Sequence, residues 1–343
     1  MSEPGPPLRF RGFGADRTGM QALAAALFLA LGFVSSAANA QTGPAGPLVS
    51  AQWLHDNLDK TQTIDVGDDA GRLVMAPKFA VEPKTGRKLL VEAGGHIAGA
   101  RFVDFSKMRD TQVVNGVKLK SMMPTREAFE RTMGAAGVDK GKTLVIVAVN
   151  DSVSSMDMAT RLYFQLKYFG DDNIAVLDGG LSGWIAAGYP VSTEAIAAKT
   201  GDWKATAERR EILATTEDVK EALKTNSAQL VDARPVAQFL GIAKSPAVAA
   251  AGHLEGAKSF PAEAIASSGA ARHFLNAKQY AAIYRQQGID TAKPTIAYCN
   301  TGHYASGAWF VASEILGRKN AKMYAGSMNE WTNLGNPVVG LPQ

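Results

Sequence analysis

Gly94-Gly95-His96-Ile97-Ala98-Gly99-Ala100 returns later in the chain as Ala251-Gly252-His253-Leu254-Glu255-Gly256-Ala257, and this pair of stretches decides the fold. Further landmarks repeat around it. Asp178-Gly179-Gly180-Leu181-Ser182-Gly183-Trp184 corresponds to Ala325-Gly326-Ser327-Met328-Asn329-Glu330-Trp331. Trp184, Gly188, Pro190 and Val191 recur 147 positions on as Trp331, Gly335, Pro337 and Val338, and Gly170 and Gly317 keep that offset. Separate landmarks with one common spacing mark a duplication. The halves are read as domains over 48–192 and 212–340, joined by a polar linker at 193–211.

Each half alternates short β-rich runs with helical patterns. In the second, Thr215 and Asp218 form a capping-box pattern that predicts a helix to Leu223, and Gln229 to Asp232 reads as a strand. A helix begins at Asn276, Thr295 to Tyr298 is a buried strand, a helix runs to Leu316 before Gly317, and Ala321 to Tyr324 is a strand. The first half repeats the order: Thr63 to Asp65, a helix from Thr125, Leu144 to Val149, a helix to Phe169, then Ile174 to Leu177. Strands separated by helices predict an α/β fold, each domain a mostly parallel sheet with helices on both faces.

With 343 residues and 46% apolar content the chain can bury two ordinary cores. Its 36 Lys and Arg against 32 Asp and Glu are dispersed, which gives no footprint for nucleic acid. One cysteine excludes an intramolecular disulfide and a Cys-rich metal site. Arg9, Arg11 and Arg17 precede an apolar stretch from Met20 to Val34 and the small residues Ala38-Asn39-Ala40, the pattern of a signal peptide cleaved before Gln41. A bacterial periplasm is the expected destination. The alternative is an uncleaved membrane anchor.

Cys299 directly follows the strand ending at Tyr298 and opens the run Asn300-Thr301-Gly302-His303-Tyr304-Ala305-Ser306. Ligands of open α/β sheets bind beyond the carboxyl ends of the strands. A short glycine-containing loop there can turn its N–H groups inward as an anion nest, and the next helix adds the positive end of its dipole. Such a setting favours a thiolate or a persulfide. An inert buried thiol is the competing reading.

The tandem halves, the repeated Gly-His-(Ile/Leu)-x-Gly-Ala segment, Val231-Asp232-Ala233-Arg234, the strand ending at Cys299 and the late Gly-x-x-x-Trp together resemble the two-domain rhodanese sulfurtransferases, over about Leu48 to Val338. The resemblance implies five parallel strands per domain and a catalytic Cys299 in the second domain alone. It also implies transfer of a sulfane sulfur, with no metal or organic cofactor, from a small anionic donor such as thiosulfate to a thiophilic acceptor, a protein thiol included. Arg234 then matches the family's donor-holding arginine. Asn300, Thr301, Gly302, His303, Tyr304 and Ala305 form the substrate-binding loop, with His303 donating to the persulfide or selecting the donor.

Anchored on Gly170, the first half sets Ser152 opposite Cys299, without a thiol. Ile64-Asp65-Val66-Gly67-Asp68 lacks a counterpart of Arg234, so the first domain reads as a structural wall of the cleft. His96, His253, Asp65, Asp232, Trp184 and Trp331 occur in both copies and read as structural.

The loop departs from its relatives. Thiosulfate-type members follow the cysteine with Arg-Lys-Gly and mercaptopyruvate-type members with Gly-Ser-Gly, whereas Asn300 and Thr301 bring no charge. Thiosulfate is the expected donor, with 3-mercaptopyruvate as the alternative. A persulfide carrier without turnover is the rival class. A cysteine phosphatase needs an arginine at the sixth position after the cysteine, where this chain has Ala305.

Overall fold

Two parallel sheets carry the chain, one in each half. The structure, a computed structural model, describes residue 44 and residues 46–341, so the segment read as an export signal lies outside the described residues.

The first half opens with β1 (Leu48–Val49), α1 (Ala51–Asp56) and β2 (Thr61–Gly67). A hairpin of β3 (Lys78–Val81) and β4 (Lys88–Glu92), strand β5 (Arg101–Asp104), and a second hairpin of β6 (Asp110–Val114) and β7 (Val117–Met122) come next. Helix α2 (Arg126–Ala135), β8 (Thr143–Val147), α3 (Val153–Tyr168), β9 (Ile174–Leu177) and α4 (Gly180–Ala186) complete it. The sheet order is β1-β9-β8-β2-β5, parallel throughout.

The second half contains β10 (Leu213–Ala214), α5 (Thr216–Thr225), β11 (Gln229–Asp232), α6 (Val236–Phe239) and β12 (Lys258–Ser259). It continues with α7 (Ala277–Gln286), β13 (Thr295–Tyr298), α8 (His303–Phe310), β14 (Ala321–Tyr324) and α9 (Ser327–Asn333). Its order, β10-β14-β13-β11-β12, is that of the first sheet, again all parallel. Every residue of β8 and β13 is buried, as a central strand covered on both faces requires.

The local signals explain most boundaries. Thr125, Thr215 and Asn276 cap α2, α5 and α7 by accepting from the backbone N–H three residues on, and the last two complete capping boxes. The duplication extends to single bonds. The Trp184 indole donates to the Pro190 carbonyl at 2.8 Å and the Trp331 indole to that of Pro337 at 2.7 Å. His96 and His253 each pair their backbone with a closing residue, Ser192 and Val339.

Three features differ from the sequence reading. The two hairpins of the first half have no copy in the second. Asn115-Gly116, both at positive φ, makes the turn of the β6–β7 hairpin, and that dipeptide is the signal that marks it. The helix expected up to Leu316 stops being α-helical at Phe310 and continues as a π-helical turn over Val311–Ile315. The polar linker lies docked on the first half, a contact that its composition does not reveal: Trp203 is buried, meets Phe129 edge-on, and donates to Asp171 at 2.9 Å.

The halves meet along α3 and α8. Helix α3 is buried on all sides from Met156 to Leu166, so it serves as a core element between layers. Phe164 packs edge-on against Trp309 and Tyr163 against Phe310, while the Thr160 and Ser306 hydroxyls share a 2.8 Å hydrogen bond. One hydrophobic cluster runs through both halves, from Ile64 to Ala325, and they form one compact unit.

Candidate active site

Strand β13 delivers Cys299 to the carboxyl edge of the second sheet, under a cavity of about 280 Å³. Asn300, Thr301, His303 and Tyr304 line this cavity from the second half, and Asp68, Phe105, Arg109, Ser154 and Met158 from the first. The cysteine is 1% exposed. Its N–H donates to the Ser327 hydroxyl at 3.0 Å, and its carbonyl accepts from Met328 N–H at 3.0 Å. Ser327 takes a left-handed conformation at φ 52°, unusual for a residue with a Cβ, and its hydroxyl also donates to the Tyr324 carbonyl. Strain at such a place is held by the surrounding bonds.

The loop turns at Gly302, whose φ is +78°. A Cβ there would stand 2.3 Å from the Arg161 guanidinium and 2.6 Å from the Ala325 carbonyl oxygen, so only glycine fits. Helix α8 then starts at His303, and its first N–H groups have no intrahelical acceptors.

The first half brings two arginines to this site, beside the charge of Arg234 from the second. Arg161 of α3, 1% exposed, donates to the Gly302 carbonyl at 2.9 Å, and its second terminal nitrogen has no partner. Burial pulls its guanidinium down to about 10, against an opposing electrostatic interaction with Cys299. Arg109 lines the cavity and lies 4.6 Å from the Phe105 ring centre. It forms no ion pair among the described residues, and burial lowers it while Asp68 and Asp104 support it. Nothing local to Cys299 in the sequence points to either arginine, because both belong to the other copy.

His303 is fixed by the first half as well. Its Nε2 lies 2.9 Å from the Ser154 carbonyl oxygen, which can only accept, so the proton sits on Nε2. The buried Nδ1 is then a bare acceptor without a partner. Burial, reinforced by Arg109, brings its pKa down to about 3. A neutral ring whose one N–H is engaged does not donate to a persulfide, which corrects the donor role; an acceptor that selects by hydrogen bonding remains. Asn300 donates to Gln238 at 2.7 Å and leaves its buried carbonyl oxygen unpartnered.

The expected residues do not all converge. Gly302 and Ala305 lie in the loop and first turn but outside the cavity lining, and Ala305 is fully buried. Arg234 is not in the lining either. Its guanidinium grips both Asp232 oxygens at 2.6–3.1 Å and donates to the Gly252 carbonyl at 2.7 Å, with 2% of its side chain exposed. The first half holds the same arrangement: Arg72 pairs with Asp65 and donates to the Gly95 carbonyl at 3.1 Å. A counterpart of Arg234 therefore exists, five residues beyond the position that matches it in sequence, and a clamp kept in both copies reads as structural. This fork engages Nε and one terminal nitrogen of Arg234, whereas Arg109 lines the Cys299 cavity and forms no ion pair among the described residues.

The counterpart of Cys299 also changes. Leu181 N–H donates to the Ala148 carbonyl as Met328 N–H does to that of Cys299, and Ser182 to Val149 as Asn329 does to Asn300. Ala148, not Ser152, thus occupies the cysteine's place. Ser152 is the N-cap of α3. Counting back from Gly170 misplaces it by four because α3 has 16 residues against 8 in α8 plus 5 in the π turn, and the loop before α3 is one residue longer.

Comparison with known proteins agrees with this architecture. The Rhodanese-like domain family matches residues 50–187 and 215–334. Thiosulfate sulfurtransferase of Cricetulus griseus is 28% identical over 303 residues, covering 86% of this chain and 95% of that protein. Thiosulfate/3-mercaptopyruvate sulfurtransferase 2 of Arabidopsis thaliana is 29% identical, with 86% of each chain covered. Among solved structures, the anaerobic ergothioneine biosynthesis enzyme of Chlorobium limicola shares the fold with a TM-score of 0.68 at 21% identity, over 86% of this chain and 71% of that one. Two matched domains, two parallel sheets of one order and a single cysteine at the end of the second central strand place this chain in the rhodanese family, as a tandem-domain sulfurtransferase.

Proposed function

We propose that the enzyme moves a sulfane sulfur from a small anionic donor of the thiosulfate type to a thiophilic acceptor through a persulfide on Cys299. The observation that carries this reading is the shared cavity, in which the only cysteine of the chain faces an arginine without a carboxylate partner. The Cys299 thiolate attacks the outer sulfur of thiosulfate, the sulfur–sulfur bond breaks, and sulfite leaves with its electron pair. Arg109 holds the donor's oxygens, and the loop N–H groups with the buried Arg161 charge stabilise the anionic persulfide. A thiophile then takes the outer sulfur and returns Cys299 to the thiolate. The relatives' names support both thiosulfate and 3-mercaptopyruvate as donors, and the arginine favours anions generally.

Intact mass before and after incubation with each donor tests the scheme. The expected result is a gain of one sulfur atom, absent in Cys299→Ser and discharged by cyanide as thiocyanate. A gain that survives in Cys299→Ser would remove the cysteine from the mechanism. The basic, apolar and Ala-Asn-Ala segments before Gln41 support export to a periplasm, and the N-terminal sequence of the protein recovered from that compartment tests it.

A further inference from the structure

A second cavity, of about 560 Å³, opens at the carboxyl edge of the first sheet, where the copy without a thiol has no chemistry of its own. It adjoins the Cys299 cavity, since Asp68, Ser154 and Met158 line both. Its lining is acidic. Among its carboxylates Glu92 is paired with Lys78, but Asp68, Asp69 and Asp151 make no ion pair among the described residues. The Arg72 guanidinium on the same wall is neutralised by Asp65, and Arg272 reaches only the Asp151 and Ser267 carbonyl oxygens. An independent sign of a ligand is Ser182. It lines the cavity, is 1% exposed, and its buried hydroxyl has no hydrogen-bond partner. Buried hydroxyls are nearly always satisfied, so an orphan on a cavity wall marks a place for a polar visitor.

We propose that this cavity is the acceptor subsite and takes a thiol carrying a cationic amine, the ammonium between Asp69 and Asp151 and the sulfur directed to Cys299, while Asp68 faces Arg109. This deepens the persulfide reading and rests on it. The two substrates then approach the same sulfur from surfaces of opposite sign: the anionic donor on Arg109, the cationic acceptor on the carboxylates. In the transfer, the acceptor's thiolate bonds to the outer persulfide sulfur while the bond to Cys299 Sγ breaks. The electron pair returns to Cys299, the acceptor leaves as a persulfide, and the proton lost by its thiol goes to water.

The test loads the protein with thiosulfate, removes the donor, and follows discharge by cysteamine, 2-mercaptoethanol and 3-mercaptopropionate, each rate referred to the thiolate present. Cysteamine is expected to be at least ~10-fold faster than 3-mercaptopropionate at low salt, with the neutral thiol between, and the ratio should shrink at high ionic strength. The double variant Asp69→Asn/Asp151→Asn should bring the ratio towards one. Ser182→Ala should raise the half-saturating cysteamine concentration several-fold with the saturating rate kept. Equal rates for the three thiols on a persulfide that cyanide still discharges would overturn the subsite and leave the persulfide scheme standing. No cyanide-labile sulfur at all would overturn both.

Discussion

Two arginines contrast a closed structural clamp with a cavity-lining cation. Arg234 is enclosed with Asp232 and a backbone carbonyl, and removing one member of a buried pair strands the other as an uncompensated charge. Such a loss costs about 3–5 kcal/mol. Arg234→Ala is therefore expected to lower the melting temperature by roughly 6–20 °C, at about 2–4 °C per kcal/mol, while the KM for thiosulfate of the folded fraction stays put. Arg109 forms no ion pair among the described residues, with only the more distant Asp68 and Asp104 acting on its charge. Arg109→Gln should keep the melting temperature within a few degrees and raise the KM for thiosulfate about 10-fold, a loss near 1.4 kcal/mol of binding. Steady-state kinetics beside thermal melts checks the pair, and the reverse pattern would return Arg234 to the site. The sequence makes Arg234 prominent because it follows a recognisable dipeptide. Arg72 serves Asp65 from seven residues away, so its matching role is invisible in a linear comparison of the copies.

At the level of elements, capping residues and turn glycines are local signals, which is why the helices starting after Thr125, Thr215 and Asn276 are legible in the sequence. The packing of α3 on α8 is not, because it depends on which faces the tertiary fold brings together. Asp157 shows the consequence. A carboxylate in an apolar run reads as exposed, yet Asp157 is fully buried, with Oδ1 accepting from Thr160 at 3.2 Å and Oδ2 unpartnered. Burial pushes its carboxyl well above the ordinary carboxylate range, against the smaller pull of the Thr160 hydrogen bond. The native state thus keeps the proton while the unfolded chain releases it above about pH 3.9, so this residue destabilises the fold increasingly as pH rises. Asp157→Asn removes the ionisation and keeps the shape. Its stability relative to the wild type should grow by up to about 1.4 kcal/mol per pH unit above about pH 3.9, until the native carboxyl itself ionises. Denaturant melts at pH 4 and pH 7 with an unchanged gap would show that Asp157 is ionised in the native interface.

Across the whole molecule, duplication supplied two equivalent sheets, and only their apposition makes the site. The second copy brings Cys299 and its loop, and the first brings Arg109, Arg161 and the carbonyl of Ser154. The cysteine and its strand are legible from one copy, whereas the charge that serves them is written in the other. His303 registers this dependence. Its ring lies 5.1 Å from that of Phe105, and its Nε2 faces Ser154, so it stays neutral only while the halves are together. With a pKa of about 3 in the native state against about 6.5 unfolded, the unfolded chain takes up a proton between those values that the native site refuses. The contribution is complete above about pH 6.5 and is lost as pH falls towards 3, by up to about 1.4 kcal/mol per pH unit. Wild-type stability should therefore fall more steeply on acidification than that of His303→Gln, which carries no titrating ring, and the two curves should run parallel above pH 7. The pH–rate profile of sulfur loading should likewise show no limb from this histidine above pH 4. Parallel stability curves down to pH 4 would mean that His303 titrates in the native cleft as it does in water, and that the halves part there without unfolding.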